Sequence, residues 1–510
     1  MDNGRATTDA FILRKELLPF IGFALQLVVS NVARLAVMVI DSAFIGHVGT
    51  DELAGAALAT LWIQFPLYIV WAMASALIAL CGQAYGAKSY KLMGVWLQMA
   101  LILITVCSAP VMLYNCFIEG ILRHATDDES VVKFGARFSL LLTPIIWPLL
   151  AYVCLRQYLQ AMGIVMPTTI NGIAAIGIDV AANYLLIYTA GLGFDGSPLA
   201  TVIAAWFQPI ALFLYAIVYK QYHKQAWGGW KMAELTWARW KTFLRMAIPL
   251  ALNDGCNILA EAVLSFVVAK MGAEVIAVNA IMSSVWAIVG AMFTGVGIAA
   301  EVGLAADLGA GRPKTAKSRA CLGFVAVAFT ALFAVLGLWF GRTGIVGVFT
   351  EDARLLDGFV DVLPIFVAAL CADAFQLGLV TALQGMGQMG FVTIVTVVGS
   401  WGVQLPLAYY FGLYREMGLR GVWTGCAVAT TIKLIVLAIK FATINWEKVV
   451  AEARSVAEAA DGKISNMTSD DDDSEDVVLD SAYIIEAPVH NVSDESWYLY
   501  SDRRMHITLI

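Results

Sequence analysis

Twelve apolar runs, each longer than 20 residues, constrain this chain more than any other feature. They are read at 18–46, 53–83, 93–116, 130–157, 165–190, 197–222, 243–270, 275–307, 316–341, 357–385, 391–413 and 419–444. A hydrocarbon layer about 30 Å thick takes roughly 20 helical residues to cross. Inside it the backbone must satisfy its own hydrogen bonds, which leaves helices or closed barrels. The alternating segments of about ten residues that mark a barrel are absent. The sequence therefore specifies an all-α membrane protein with twelve transmembrane helices. Composition agrees, since only 14% of the residues are charged, where a soluble chain has about a quarter.

The chain divides into an N-terminal segment (1–17), a first group of six helices (18–222), a connecting loop (223–242), a second group of six (243–446) and a polar tail (447–510). No short apolar stretch with a small-residue cleavage site precedes the first run, so no removable leader is expected. Lys and Arg crowd the segments on the side of the N-terminus. Lys220, Lys224, Lys231, Arg239, Lys241 and Arg245 alone fall in or beside the longest of these loops. The bias predicts that both termini are cytoplasmic.

The two groups repeat. Gly49 and Gly272, Gly86 and Gly309, and Gly163 and Gly387 lie 223 or 224 residues apart, each pair at the same helix end. A parallel repeat of this kind puts a substrate path between the halves and predicts alternating access. The eight cysteines, among them Cys81, Cys107, Cys256 and Cys371, lie in helices without metal-ligand spacing, so packing is their expected role. The five histidines are scattered at 47, 124, 223, 490 and 506. An intramembrane enzyme would need a paired nucleophile and base or a metal cluster, so no enzyme, metal, cofactor or nucleic-acid partner is expected.

A charge near the bilayer centre costs roughly 2.5–3.5 kcal/mol on insertion scales and needs a partner or a function. The candidates are Arg34, Asp41, Asp179, Glu261, Glu301, Asp373 and Lys433. Glu261 and Asp373 fall close to mid-membrane, with no basic residue near them in their own helices. Desolvation works against the charged form of such a group, so each is a candidate to exchange a proton or attract an organic cation. Arg34 and Asp41 share a helix face but sit about 10 Å apart along it. Asp179 and Asn183, at i and i+4, share another, and with Asp41 they are expected to form a polar nest for a proton or Na⁺. Glu301 and Lys433 lie nearer the inner ends, where snorkelling is the expected behaviour. Trp71, Trp147, Trp286, Phe375 and Trp401 offer cation–π surfaces, and none is singled out.

The motifs GHVGTDELAGAAL (46–58), CGQAYGAK (81–88), LAADLGAGRPKTAK (304–317) and DAFQLGLVTALQGMGQ (373–388) resemble those of the multidrug and toxic compound extrusion (MATE) family, chiefly its eukaryotic branch. The resemblance covers about residues 20–445. It implies two pseudo-symmetric six-helix lobes of the MOP superfamily, with export of organic cations or amphipathic compounds against H⁺ or Na⁺. It puts Asp373 at the acidic position of the eukaryotic branch. In helix 7 Asn257 stands where that branch has a glutamate, and Glu261 lies one turn later. Asp41 resembles the first-helix aspartate of prokaryotic relatives, whose Asn and Asp in helix 5 look exchanged here as Asp179 and Asn183. Gln26 replaces the usual proline of helix 1.

The coupling candidates are thus Asp373, Glu261, Asp41 and Asp179, supported by Asn183, Asn257, Gln376 and Arg34. The alternative is a lipid-linked or organic-anion exporter of the same superfamily, which would want a basic cavity where only Arg34 looks deep. The expected location is the plasma or vacuolar membrane. In the tail, Ser465, Thr468 and Ser469 suit acidophilic kinases, and Thr508-Leu509-Ile510 suits a PDZ-type groove.

Overall fold

The computed structural model describes residues 3–349 and 352–456. The kinase and PDZ-type elements of the tail lie outside them. Twelve helices have the length and apolarity to cross a membrane. The first six are α1 (Pro19–Val48), α2 (Thr50–Gly86), α3 (Tyr90–Cys116), α4 (Glu129–Ala161), α5 (Met166–Thr189) and α6 (Gly193–Tyr219). The second six are α7 (Trp237–Ala269), α8 (Glu274–Gly309), α9 (Pro313–Gly347), α10 (Ala353–Gly385), α11 (Met389–Tyr414) and α12 (Gly418–Ala442).

Local chemistry sets several of the helix ends. The Asp128 carboxylate accepts the Ser130 N–H at 2.9 Å before α4, and Asp352 accepts the Arg354 N–H at 2.9 Å before α10. Each caps a free N–H of a first turn. At the far ends of these same helices Gly163 and Gly387 take φ 77° and 75°. Ile164 N–H then reaches the Leu159 carbonyl at 2.9 Å, and Gln388 N–H reaches that of Leu383 at 2.9 Å. The two halves thus end α4 and α10 with one left-handed glycine motif. Helix α1 continues unbroken through Pro19 and past Gln26 to Val48.

Helices α2 and α8 are 37 and 36 residues long, so α2 spans roughly 55 Å and extends past the bilayer. Their ends cross in backbone contact. A Cβ on Gly86 would overlap the Ala306 carbonyl, and one on Gly309 would overlap the Gln83 carbonyl. Glycine at these symmetry-related positions is what lets the halves approach. Gln83 Nε2 adds a hydrogen bond to the Gly385 carbonyl at 2.9 Å.

Around this crossing one hydrophobic core is shared by both halves, with Leu80, Trp96 and Tyr158 from the first and Phe243, Leu308 and Leu383 from the second. Toward the other end the core divides. Ile45, Leu122, Phe138 and Phe194 pack within the first lobe, and Val278, Val346, Phe359 and Leu419 belong to a second-lobe cluster that α1 joins through Phe20, Ala24 and Leu27. The two six-helix lobes are therefore joined at the end where α2 and α8 stop and separate toward the other. The connecting loop packs on the joined end, with Tyr158 Oη donating to the Ala226 carbonyl at 3.0 Å and Gln98 Nε2 to that of Gly229 at 2.7 Å.

The polar tail starts later than the sequence reading put it. Residues 446–456 form a further helix, α13, and Val449, Val450 and Ala453 are buried in the shared core beside Leu80 and Leu92. The Arg454 side chain packs against Gly311, in the turn between α8 and α9.

Truncation after Val456 should leave the thermal transition of the purified protein unchanged, because the removed residues are acidic and poor in apolar side chains. Truncation after Lys448 should lower it by several degrees, since burying two valines and an alanine contributes about 2–4 kcal/mol. Equal transitions for the two proteins would mean that α13 does not hold the lobes.

Candidate functional site

The first lobe gathers three of the predicted site residues. Asp41 on α1 accepts from Asn183 Nδ2 of α5 at 3.1 Å and from Thr201 Oγ1 of α6 at 3.0 Å. Asn183 Nδ2 also reaches the Asp179 carbonyl one turn back, at 3.0 Å. Asp179 and Asn183 are fully buried, and the Asp179 carboxylate lies close enough to that of Asp41 to interact with it. Neither Asp179 carboxylate oxygen nor Asn183 Oδ1 has a hydrogen-bond partner among the described residues. Ser197 Oγ, one turn before Thr201, is buried without one too. Three helices therefore bring together two carboxyl groups and, among the described residues, several oxygens without a hydrogen-bond partner. Buried oxygens left in this state cost free energy, and a proton or a metal ion of small radius bound among them would offset that cost. Thr201 was missed by sequence reasoning. Its signal, a Ser197–Thr201 pair at i and i+4, is too common to single out.

Arg34 does not turn toward Asp41. Its Nη1 donates to Tyr68 Oη at 3.4 Å and its guanidinium lies over the Trp71 ring, two turns from the acidic nest. Nor is it the lobe's one deep cation, as the sequence reading had it. Arg156 on α4 is 6% exposed.

The second lobe holds a mixed cluster. Asp373 on α10, Glu261 on α7 and Lys433 on α12 act on one another electrostatically, without a direct ion pair. Lys433 is 7% exposed, so it does not snorkel, which corrects the expectation from its position near a helix end. The carboxylates lack a basic neighbour on their own helices, yet α12 supplies one from across the lobe. Room for it comes from α11, which forms a π-helical turn at Gly399–Gln404. A side chain on Gly399 would collide with the Lys433 stem. Such turns often mark functional sites in membrane helices. Glu261 stays accessible on the flank of α7, where Gln404 faces it.

Asn257 is engaged elsewhere, accepting from Ser400 Oγ at 3.1 Å, and Asn253 bonds to Thr396 and to Asp254. Asp254, on α7, is a further interior carboxylate beside this polar seam. Gln376 is buried, and its Oε1 has no partner among the described residues. Glu301 is 1% exposed and packs against Gly385 at the lobe junction, so burial, not snorkelling, describes it. Among the described residues no group of three or more His, Cys, Asp or Glu side chains could hold a metal ion.

Residues 27–185 and 249–410 match the family model described as MatE. Multidrug and toxin extrusion protein 1 of Xenopus tropicalis is 29% identical over 425 residues, which cover 82% of this chain and 73% of that protein. Its Homo sapiens counterpart is 28% identical over 417 residues, covering 81% and 72%. The fold is similar to the crystal structure of a eukaryotic MATE transporter, with a TM-score of 0.80 and 22% identity over 87% of this chain and 99% of that one. It is also similar to a MOP superfamily transporter from Pyrococcus furiosus, with a TM-score of 0.77 and 15% identity over 86% and 96%. These last two likenesses speak for the fold alone.

The cluster in the second lobe makes a testable demand. Removing Lys433 strands two carboxylates, so Lys433→Met should cost more stability than Lys433→Met combined with Asp373→Asn. A thermal-denaturation cycle over the four proteins should give a coupling of about 1–3 kcal/mol between the sites. Additive effects would show that Lys433 and Asp373 do not interact.

Proposed function

The chain belongs to the MatE family of multidrug and toxin extrusion transporters, integral membrane proteins that work without a cofactor, and from that premise we propose a secondary antiporter driven by a cation bound in its first lobe. The observation that carries the proposal is the pairing of half-buried Asp41 with fully buried Asp179, with Asn183 and Thr201 donating to Asp41 and, among the described residues, several oxygens that accept no hydrogen bond. Either H⁺ or Na⁺ suits that set of oxygens. Asp373 and Glu261 in the second lobe supply negative charge for an organic cation or a second proton, with Lys433 moderating them. Gln376 and Asn257 line the same region as polar support.

The lobes run over 18–222 and 243–446, and both termini face the cytoplasm. The crossing of Gly86 and Gly309 then closes the cytoplasmic end, and the divided core at the other end opens outward. Cation binding favours one arrangement of the lobes, substrate binding the other, and exchange follows from their competition. The substrate is a small organic compound, cationic or amphipathic, and the membrane is the plasma or vacuolar membrane. The alternative of an organic-anion exporter gains support from Arg156, which joins Arg34 inside the first lobe.

In sealed vesicles with an imposed H⁺ or Na⁺ gradient, Asp41→Asn and Asp179→Asn should each abolish gradient-driven efflux of an organic cation while the protein still folds and binds that cation. Full efflux by a well-folded Asp41→Asn protein would remove the first lobe from coupling and leave Asp373 and Glu261 to be tested in its place.

A further inference from the structure

Two arginines in the first lobe have no acidic partner among the described residues. Arg34 on α1 and Arg156 on α4 bring their guanidinium carbons to 5.5 and 5.7 Å from the centre of one ring, that of Trp71 on α2. Arg156 also lies 5.9 Å from the Tyr152 ring. The two cations are near enough to repel each other. Among the described residues neither forms an ion pair, and both Nε atoms are buried without an acceptor. Among the described residues, the one hydrogen bond either guanidinium makes is the long 3.4 Å contact from Arg34 to Tyr68. The nearest acid along α1, Asp41, is occupied by Asn183 and Thr201.

This arrangement is short of an anion. A cation over an aromatic face gains about 0.5–2 kcal/mol, whereas leaving an ion desolvated costs several kcal/mol. Snorkelling does not resolve the deficit, because Arg156 is 6% exposed. The neighbourhood is braced from outside the pair. Gln157 Nε2 donates to Ser75 Oγ at 3.2 Å, and Tyr152 Oη donates to the Thr168 carbonyl at 3.3 Å. Apart from the long Arg34–Tyr68 contact and the ring faces, the guanidinium groups have no partner among the described residues. Arg34, Tyr68 and Trp71 are half-buried, so a ligand can approach from their side. Guanidinium forks match a carboxylate with two parallel hydrogen bonds, and Trp71 with Tyr68 offers a flat apolar surface beside them.

We propose that Arg34, Trp71 and Arg156 form a binding site for an organic anion, namely a carboxylate carried on an aromatic body. The inference deepens the export reading by naming a substrate class. It rests on that reading for transport only, so binding at equilibrium tests it apart from any ion gradient.

The experiment is titration of the purified full-length protein with salicylate, followed by intrinsic tryptophan fluorescence and calorimetry. Inorganic phosphate serves as the control for a bare anion and benzyltrimethylammonium as the control for an aromatic cation. Salicylate should bind, and Arg34→Gln and Arg156→Gln should each weaken it at least about tenfold while leaving benzyltrimethylammonium binding unchanged. Arg156→Lys, which keeps the charge and loses the fork, should recover only part of the affinity. Phosphate binding stronger than salicylate binding would overturn the assigned ligand class.

Stability without ligand separates this site from a structural role. Relief of like-charge repulsion should leave Arg34→Gln at least as stable as the parent protein, whereas a packing role predicts a clear loss. A destabilised Arg34→Gln protein, or salicylate affinity equal in the parent and both glutamine variants, would overturn the proposal.

Discussion

A charge held away from water must be neutralised, bonded or used, and the interior of this protein is organised by that requirement. Three groups of intramembrane charge meet it in different ways. Asp373, Glu261 and Lys433 moderate one another from three helices of the second lobe. Asp41 is bonded by Asn183 and Thr201, but its neighbour Asp179 is left with two bare oxygens. Arg34 and Arg156 share a tryptophan and nothing acidic. The first group is offset in part within the protein, by one lysine set against two carboxyl groups. The other two are the sites at which we propose a mobile partner binds, a cation in one case and an anion in the other. A folded chain retains such costs where binding offsets them.

In the proposed exchange, the lobe junction is what would turn local binding into a change of the whole molecule. Packed cores have discrete arrangements and do not deform continuously. At the joined end, Gly86 and Gly309 bring two backbones together so closely that no side chain fits, and α13 lies over the same core. Contact this close is made or broken as a unit. The buried carboxylates of the first lobe sit on α1 and α5, and α1 also packs along α8 of the second lobe through Val28 against Gly295. A cation that draws Asp41 and Asp179 together therefore acts on a helix that touches both lobes.

Much of this was legible in the sequence, because its signals are local. Twelve spans follow from run length, and the repeat follows from glycines that each close a helix or permit a crossing. The Asp41, Asp179 and Asn183 nest was legible because polar side chains one turn apart must share a face. Residues that matter through another helix were harder to read. Lys433 looked like an interfacial lysine until Gly399 in a π-helical turn of α11 gave its stem a path inward. Arg156 sits five residues from the end of α4, where an arginine usually reaches water, and only packing against α2 shows that it does not. Thr201 carries no signal of its own, and α13 is too short and too mixed in composition to stand out from the polar stretch around it.

The most direct measurement reverses the direction of drive. Purified protein is reconstituted in vesicles with no ion gradient, and a gradient of a transported organic cation is imposed alone. H⁺ or Na⁺ should then move uphill in the opposite direction, because coupling between two ligands is reciprocal, and the movement should vanish in the Asp41→Asn protein. Substrate flux at an undiminished rate with no counter-movement of either ion would contradict an antiporter driven by a cation bound in the first lobe.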